Sequence, residues 1–289
     1  MQRRHFIKQA SLGMMAASIS LQQLKEQLVQ QGGEKIKMPV LFIGHGSPMN
    51  AIEDNEYTRG WKNVANQLTK PKAVLCISAH WLTKGTMVTA MPQPRTIHDF
   101  GGFPQKLFDV EYKAAGSPDF AKKTSQLITK TEVISYMEWG LDHGTWSVLL
   151  PMYPKADIPV FQLSIDYTKP PSYHYELAKE LKQLREEGVL IVSSGNIVHN
   201  LGMLRFDNKV YDWTEEFNEK MMQYIASRNH NAIVNYDKLG KAANYAVPTN
   251  EHFLPLIYSI ALTDEKDPIE IFNNSYQMGS ISMASVKFG

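Results

Sequence analysis

Three short apolar runs, each closed by small residues and a histidine, constrain the fold of this chain more than any other feature. The runs are PVLFIGHGSP with His45, AVLCISAHW with His80, and VLIVSSGNIVHN with His199. Runs of this length that are rich in branched residues and end in Gly, Ser or Asn are typical of buried strands in a parallel sheet. Because ligands of such sheets bind at the carboxyl ends of the strands, we expect the three imidazoles to meet there.

The remaining chain alternates strand-like and helix-like segments, which predicts an α/β fold. The predicted strands cover 39–43, 73–79, 86–90, 131–134, 158–165 and 189–193, and the predicted helices cover about 57–69, 118–128, 145–152, 172–187 and 213–228. This alternation predicts a single domain with a central, mainly parallel sheet covered by helices on both faces. The Pro- and Gly-rich segment 92–116 is predicted to be a long loop that covers the site, since loops of this length are usually functional.

The N-terminal segment has the layout of an export signal. Arg3 and Arg4 precede Phe6, and the apolar stretch from Ala10 to Leu21 follows. This pattern predicts a twin-arginine signal or disordered N-terminus over 1–35, a separate folded domain over 36–289, and a periplasmic or exported protein. The apolar stretch is too short for a stable membrane span. An amphipathic N-terminal helix on a cytoplasmic protein is the alternative.

Charge and cysteine usage restrict the class of ligand. The 30 basic and 29 acidic residues leave a net charge of +1, and no basic stripe is present, which argues against a nucleic-acid partner. The single cysteine, Cys76, lies in an apolar run and is predicted to be a buried core residue. Small neutral or modestly charged molecules are therefore the expected ligands.

The histidines at the predicted strand ends indicate a mononuclear metal centre. A single histidine at a strand end is more often a core residue, but His45, His80 and His199 share this position, and His252 in TNEHFLPL is a candidate fourth ligand. The neighbouring Glu251 could ligate instead, and spacing does not choose between the two. A site with histidines and one carboxylate would be the arrangement of non-haem Fe(II) oxygenases.

Other aromatic residues are candidates for catalysis and substrate binding. His143 lies in a glycine-bounded turn next to Asp142, where it could act as a general acid/base or cap the following helix. His98 in the long loop is a candidate substrate contact, and Trp81 and Trp146 are candidate walls of a substrate pocket. The three remaining histidines are predicted to lie at the surface: His5, His174 and His230.

Six motifs together resemble the DOPA-type, class III extradiol aromatic-ring-opening dioxygenases. In chain order they are GHGSPMN, SAHW, HDFGGFP, LDHGTW, SSGNIVHNL and PTNEHFLPL, and the resemblance covers about residues 38–289. It implies a single α/β domain that opens the ring of a catechol-type, DOPA-like substrate with O2. It implies metal binding by His45, His80, His199 and His252, and acid/base catalysis by His143. The twin-arginine segment departs from the cytoplasmic location expected of this family.

The resemblance also bears on the metal. The family is associated with both zinc and iron, but Zn²⁺ has no accessible redox change, so we expect Fe²⁺ for dioxygenation. Zinc is expected in isolated protein because nitrogen-rich sites bind it more tightly than iron. A zinc-dependent hydrolase using the same histidines is the alternative enzyme, and an exported metal-binding protein with four closed ligands is the non-enzymatic alternative. The sequence leaves the catechol and the oligomeric state open.

Overall fold

The computed structural model describes residues 37–289. The predicted export signal in 1–35 lies outside the described residues, and the domain boundary and the periplasmic location stay predictions. Within 37–289, no helix is both long and apolar enough to cross a membrane.

The described residues form fourteen strands. They are β1 (Val40–Gly44), β2 (Ala73–Ser78), β3 (Leu82–Thr83), β4 (Thr86–Thr89), β5 (Arg95–Thr96), β6 (Val133–Tyr136), β7 (Gly140–Leu141), β8 (Val160–Gln162), β9 (Ile165–Asp166), β10 (Val189–Gly195), β11 (Ile269–Phe272), β12 (Tyr276–Gln277), β13 (Ile281–Ser282) and β14 (Ser285–Phe288).

Ten α-helices lie between these strands in the described part of the chain. They are α1 (Glu56–Gln67), α2 (Gln105–Phe108), α3 (Pro118–Leu127), α4 (His143–Met152), α5 (Pro171–Lys179), α6 (Lys182–Glu186), α7 (Asp212–Ala226), α8 (His230–Val234), α9 (Lys241–Ala246) and α10 (Leu254–Ala261).

A six-stranded sheet in the order β11-β14-β1-β10-β2-β8 forms the centre of the domain. The strands β1, β10, β2 and β8 run parallel, whereas β14 runs antiparallel to both β1 and β11. The predicted mainly parallel sheet is therefore confirmed. The antiparallel C-terminal pair was not predicted, because β11 is only half-buried and lacks the continuous apolar run of a central strand.

Both faces of the sheet are buried against helices, as predicted. Side chains alternate along each strand, so Val40 and Phe42 of β1 pack into one apolar cluster, whereas Leu41 and Ile43 pack into another. The first cluster includes residues of α5, α7 and α10, and the second includes residues of α1 and α4. This three-layer packing leaves the carboxyl ends of the parallel strands as the place where loops can build a site.

Two predicted elements are interrupted. The predicted helix 172–187 is two helices, α5 and α6, because the chain tightens where the N–H groups of Glu180 and Leu181 bond to carbonyls three residues back. The Glu180 carboxylate there accepts hydrogen bonds from Thr129. The predicted strand 158–165 splits into β8, which pairs with β2, and β9, which pairs with β3.

The prediction that His174 lies at the surface is wrong. His174 lies on α5, is fully buried, and its Nδ1 is 2.9 Å from the hydroxyl oxygen of Tyr258 on α10. The polar neighbours of His174 do not indicate whether this side of the helix faces solvent or the core. The burial of His174 therefore depends on how α5 packs on α10. His230 is partly buried and contacts Tyr175, and His5 lies outside the described residues.

We expect the burial of His174 to make the stability of the protein pH-dependent. Burial lowers the pKa of His174 from 6.5 to about 4. Between these two pH values the unfolded chain binds more protons than the folded chain, so the free energy of unfolding decreases as the pH falls below 6.5. The expected decrease is about 2 kcal/mol at pH 5 and about 3 kcal/mol at pH 4. Urea unfolding of wild type and His174→Gln from pH 7 to pH 5 measures this, and equal pH slopes would contradict it.

Candidate metal centre

Three parallel strands place their histidines at the same edge of the sheet. In the sheet register Gly44 of β1 lies opposite Gly195 of β10, and Ser78 of β2 lies opposite Ser194. His45 directly follows β1, His80 follows β2 by two residues, and His199 follows β10 by four. The predicted convergence of these three imidazoles is therefore present.

Five histidines make up the cluster at this edge. The ring centroids of His45, His80 and His252 form a triangle with sides of 5.1, 5.2 and 5.0 Å. The His143 ring lies 3.7 Å from the ring of His80 and 5.9 Å from that of His45. The His199 ring stacks on His252 with centroids 3.5 Å apart. All of the predicted ligand and acid/base histidines thus lie together, and their roles stay predictions.

The imidazoles of His45 and His80 point their Nε2 atoms at each other. Ser194 donates its hydroxyl proton to the Gly144 carbonyl at 2.5 Å, so its oxygen accepts from His45 Nδ1 at 3.0 Å, and the lone pair of the His45 ring is on Nε2. Nδ1 of His80 lies 3.5 Å from the carboxylate of Asp99. The two Nε2 atoms are 3.2 Å apart.

This pair of nitrogens fits a bound cation. Two nitrogens bound to one Zn²⁺ at about 2.0–2.1 Å in a tetrahedral arrangement would lie about 3.3–3.4 Å apart, close to the separation observed. Without a cation, the same spacing is that of a hydrogen bond between the two rings. The donor set and its spacing therefore match an imidazole-bound metal.

Burial favours the neutral form of His45, His80, His199 and His252. Desolvation, followed by the neighbouring histidines, lowers the pKa of His45 and His252 well below the usual value. Burial is also the main cause that lowers the pKa values of His80 and His199. Neutral imidazoles with free lone pairs at neutral pH are the form that binds metal.

The geometry around His252 favours His252 over Glu251 as the metal ligand of this segment. The Glu251 carboxylate oxygen Oε1 accepts from His252 Nδ1 at 3.1 Å and from the Thr249 hydroxyl at 2.8 Å. A carboxylate that holds Nδ1 leaves Nε2 of the same ring for a metal, so His252 suits the inner ligand position and Glu251 the position behind it. The closely spaced donor atoms of the site form two groups, His45 with His80 and His143, and His199 with Glu251 and His252.

Gly195 allows the His252 segment to reach the strand end. A Cβ on Gly195 would lie 2.2 Å from the backbone carbonyl oxygen of His252. The same carbonyl accepts a hydrogen bond from the Asn196 N–H at 2.8 Å. Because a side chain at Gly195 would push this backbone away, the glycine in the SSGN turn is a requirement of the site.

His143 opens helix α4, with Asp142 as the N-cap residue. The Asp142 carboxylate accepts from Ser78, Gln162 and the Thr145 N–H, so it is engaged in the core. The carboxylate beside His143 is Asp99 instead. Asp99 was not predicted, and its position between His98 and Phe100 in the long loop was the only sequence signal that could have pointed to it.

The long loop reaches the cluster, as predicted. Asp99 Oδ2 lies 3.0 Å from Nδ1 of His143, and the Phe100 ring packs edge-on against the His143 ring at 5.5 Å. Phe100 also contacts the rings of Phe103 and Phe108. The loop therefore supplies one charged residue and an aromatic wall.

The predicted substrate contacts pack against side chains and backbone outside the five histidines. His98 Nε2 is 3.0 Å from the Val110 carbonyl oxygen, and the His98 ring packs against Trp146. Trp146 is fully buried and donates its indole N–H to the Ile97 carbonyl at 2.8 Å. Trp81 stacks on Trp139 at 5.9 Å. These side chains support the residues around the site, and their contact with substrate stays a prediction.

A cavity of about 440 Å³ opens beside Glu251. Its lining combines apolar, phenolic and carboxylate side chains and includes Leu82, Tyr167, Tyr236, Thr249 and Glu251. Leu82 lies two residues after His80, so the cavity adjoins two segments that carry histidines of the cluster. Its volume suits a small organic molecule.

Comparison with known proteins agrees with the resemblance found in the motifs. The family described as the catalytic LigB subunit of aromatic ring-opening dioxygenase matches residues 39–289. The 4,5-DOPA dioxygenase extradiol of Escherichia coli (strain K12) is 47% identical over 261 residues, covering 88% of this chain and 95% of that protein. The protein of the same name from Beta vulgaris is 35% identical over 265 residues, covering 89% of this chain and 98% of that protein.

A solved structure shares the fold. The crystal structure of an uncharacterized protein from Escherichia coli K12 superposes with a TM-score of 0.75 at 41% sequence identity, covering 87% of this chain and 100% of that chain. The similarity therefore extends over nearly all of the described residues.

Proposed function

This chain belongs to the family of the catalytic LigB subunit of aromatic ring-opening dioxygenases, and we propose that it opens DOPA-like catechols at one divalent metal ion held by its histidine cluster. As a member of that family it is an extradiol ring-cleaving enzyme that uses O2. The observation that supports the metal proposal most strongly is the pair of Nε2 atoms of His45 and His80, which face each other at 3.2 Å.

The proposed ligands are His45, His80, His199 and His252. The first, second and fourth form the triangle of rings, and Ser194 and Glu251 hold the Nδ1 atoms of His45 and His252 so that Nε2 is free. An imidazole binds a metal in its ring plane, so the stacked ring of His199 would have to turn to join the others. His199 is partly exposed, which leaves it room to do so.

When held by these histidines, the metal would supply Lewis-acid stabilisation to a catechol diolate bound through both oxygens, and the redox change that O2 chemistry requires. Fe²⁺ is the proposed working metal, since Zn²⁺ has no accessible redox change, and zinc is the proposed occupant of isolated protein.

The proton chemistry is assigned to His143. Its ring lies 3.7 Å from His80, so it is close enough to accept a proton from a catechol hydroxyl held at the cluster. Its exposed fraction is only 6%, and Phe100 covers one side of the ring. This enclosure excludes bulk water from the group that takes the proton.

Oxygen uptake tests the proposed function. Protein purified without air is reconstituted separately with Fe²⁺ and Zn²⁺ and given a panel of catechols that includes DOPA. We expect stoichiometric O2 consumption and a yellow product in the iron form only. A DOPA methylated on one hydroxyl is the matched control, because it cannot bind through both oxygens and should not be turned over.

The same experiment separates the alternatives. No O2 uptake with either metal would contradict the proposal. Turnover of ester or amide substrates by the zinc form would then support the zinc-dependent hydrolase, in which a metal-bound water is the nucleophile.

A further inference from the structure

We propose that Asp99, delivered by the long loop, is the positioning residue that orients His143 and fixes the tautomer in which His143 can accept a proton. The inference rests on the proposed function, because it concerns the residue assigned to acid/base catalysis. It extends that function by adding a carboxylate that holds His143 and reaches His80.

Asp99 contacts His143 through both carboxylate oxygens. Oδ1 accepts the backbone N–H of His143 at 2.9 Å, and Oδ2 lies 3.0 Å from the ring nitrogen Nδ1. His143 Nδ1 is buried and makes no hydrogen bond in this structure, and catalytic hydrogen bonds often tighten only when a ligand binds. Because the backbone contact already holds the Asp99 carboxylate beside the ring, a change in ring orientation would form the second bond.

Asp99 is placed where a carboxylate is favoured. Its side chain is only 19% exposed and accepts the backbone N–H of His143. The carboxylate also lies at the N-terminus of the ten-residue helix α4, where the helix dipole favours a negative charge.

An ionised carboxylate accepts hydrogen bonds and cannot donate them, so it places the proton of a neutral His143 on Nδ1. Nε2, on the far side of the ring from Asp99, then carries the lone pair that takes the substrate proton. The resulting imidazolium is stabilised by the same carboxylate, which is the arrangement that histidine bases in other enzymes use.

Asp99 also lies 3.5 Å from Nδ1 of His80, a proposed metal ligand. One loop residue therefore faces both a ligand and the proposed base, whose rings are 3.7 Å apart. The hydrogen bond of Asp99 and its shorter ring contact are both to His143, so the main effect of changing Asp99 is expected on turnover, and a smaller one on metal affinity.

Asp99→Asn tests the proposal. The amide oxygen can keep the backbone bond of His143, but the amide NH2 then faces Nδ1 and favours the tautomer with the proton on Nε2. We expect kcat to fall by about 10²- to 10⁴-fold, with KM and the metal content at saturating metal nearly unchanged. Asp99→Glu keeps the charge and should recover part of the loss. Asp109→Asn, an exposed aspartate of the same loop, is the matched control.

A second readout does not depend on activity. Nitrogen-15 NMR of the histidine side chains in Zn²⁺-loaded protein reports the tautomer of His143, assigned from a His143→Gln sample. We expect Nδ1–H in wild type and Nε2–H in Asp99→Asn. An unchanged tautomer, or metal loss in parallel with kcat, would overturn the proposal. If the wild type itself cleaves no catechol, the proposed function fails, and the NMR experiment still decides whether Asp99 sets the tautomer.

Discussion

Replacing His45 by alanine is expected to remove the metal and, with it, O2 uptake. His45 is buried, and its Nε2 faces that of His80, so the variant deletes one of the facing donors. Four ligands sharing a binding free energy of about 10–16 kcal/mol contribute about 3–4 kcal/mol each, which is about 10²- to 10³-fold in affinity. Metal content after dialysis and oxygen uptake at saturating catechol are the measurements.

Two comparisons make this expectation specific. His230→Ala is the matched control, because His230 contacts Tyr175 and lies outside the cluster, and it should retain metal. Ser194→Ala removes the acceptor that holds His45 Nδ1, and we expect an intermediate loss of about 10- to 100-fold in affinity. Full metal retention in His45→Ala would exclude the proposed centre.

Replacing His143 by glutamine is expected to abolish most of the turnover while leaving the metal in place. A general base of this kind contributes about 10²- to 10⁴-fold to the rate, so kcat should fall by that factor. Glutamine keeps a polar side chain at the start of α4, where the backbone N–H of this residue bonds to Asp99 and does not depend on the ring. Steady-state kinetics and metal analysis of the same preparation measure both effects.

The contrast between the two variants is the discriminating result. A loss of kcat with unchanged metal in His143→Gln, set against metal loss in His45→Ala, separates the base from the ligands. Equal metal loss in both variants would show that His143 is itself a ligand, which its 3.7 Å separation from the His80 ring permits geometrically.

Local sequence pattern was sufficient for the strands that carry the site. β1, β2 and β10 are continuous apolar runs closed by small residues, and parallel strands with this pattern have their carboxyl ends at one edge. The meeting of His45, His80 and His199 followed from that rule. The family resemblance then supplied the proposed roles of His252 and His143, which position in the chain alone left open.

Long-range packing determined the partner of His143 and the burial of His174. Asp99 meets His143 across 44 residues of sequence, and nothing local distinguishes it from Asp142, which is adjacent to His143 but is engaged by Ser78 and Gln162. The burial of His174 depended in the same way on the packing of α5 against α10. The periodicity of apolar residues in the sequence determines which face of a helix or strand is buried. The path of a loop and the partner of a charged side chain depend instead on contacts between distant segments, and these contacts exist only in the folded chain.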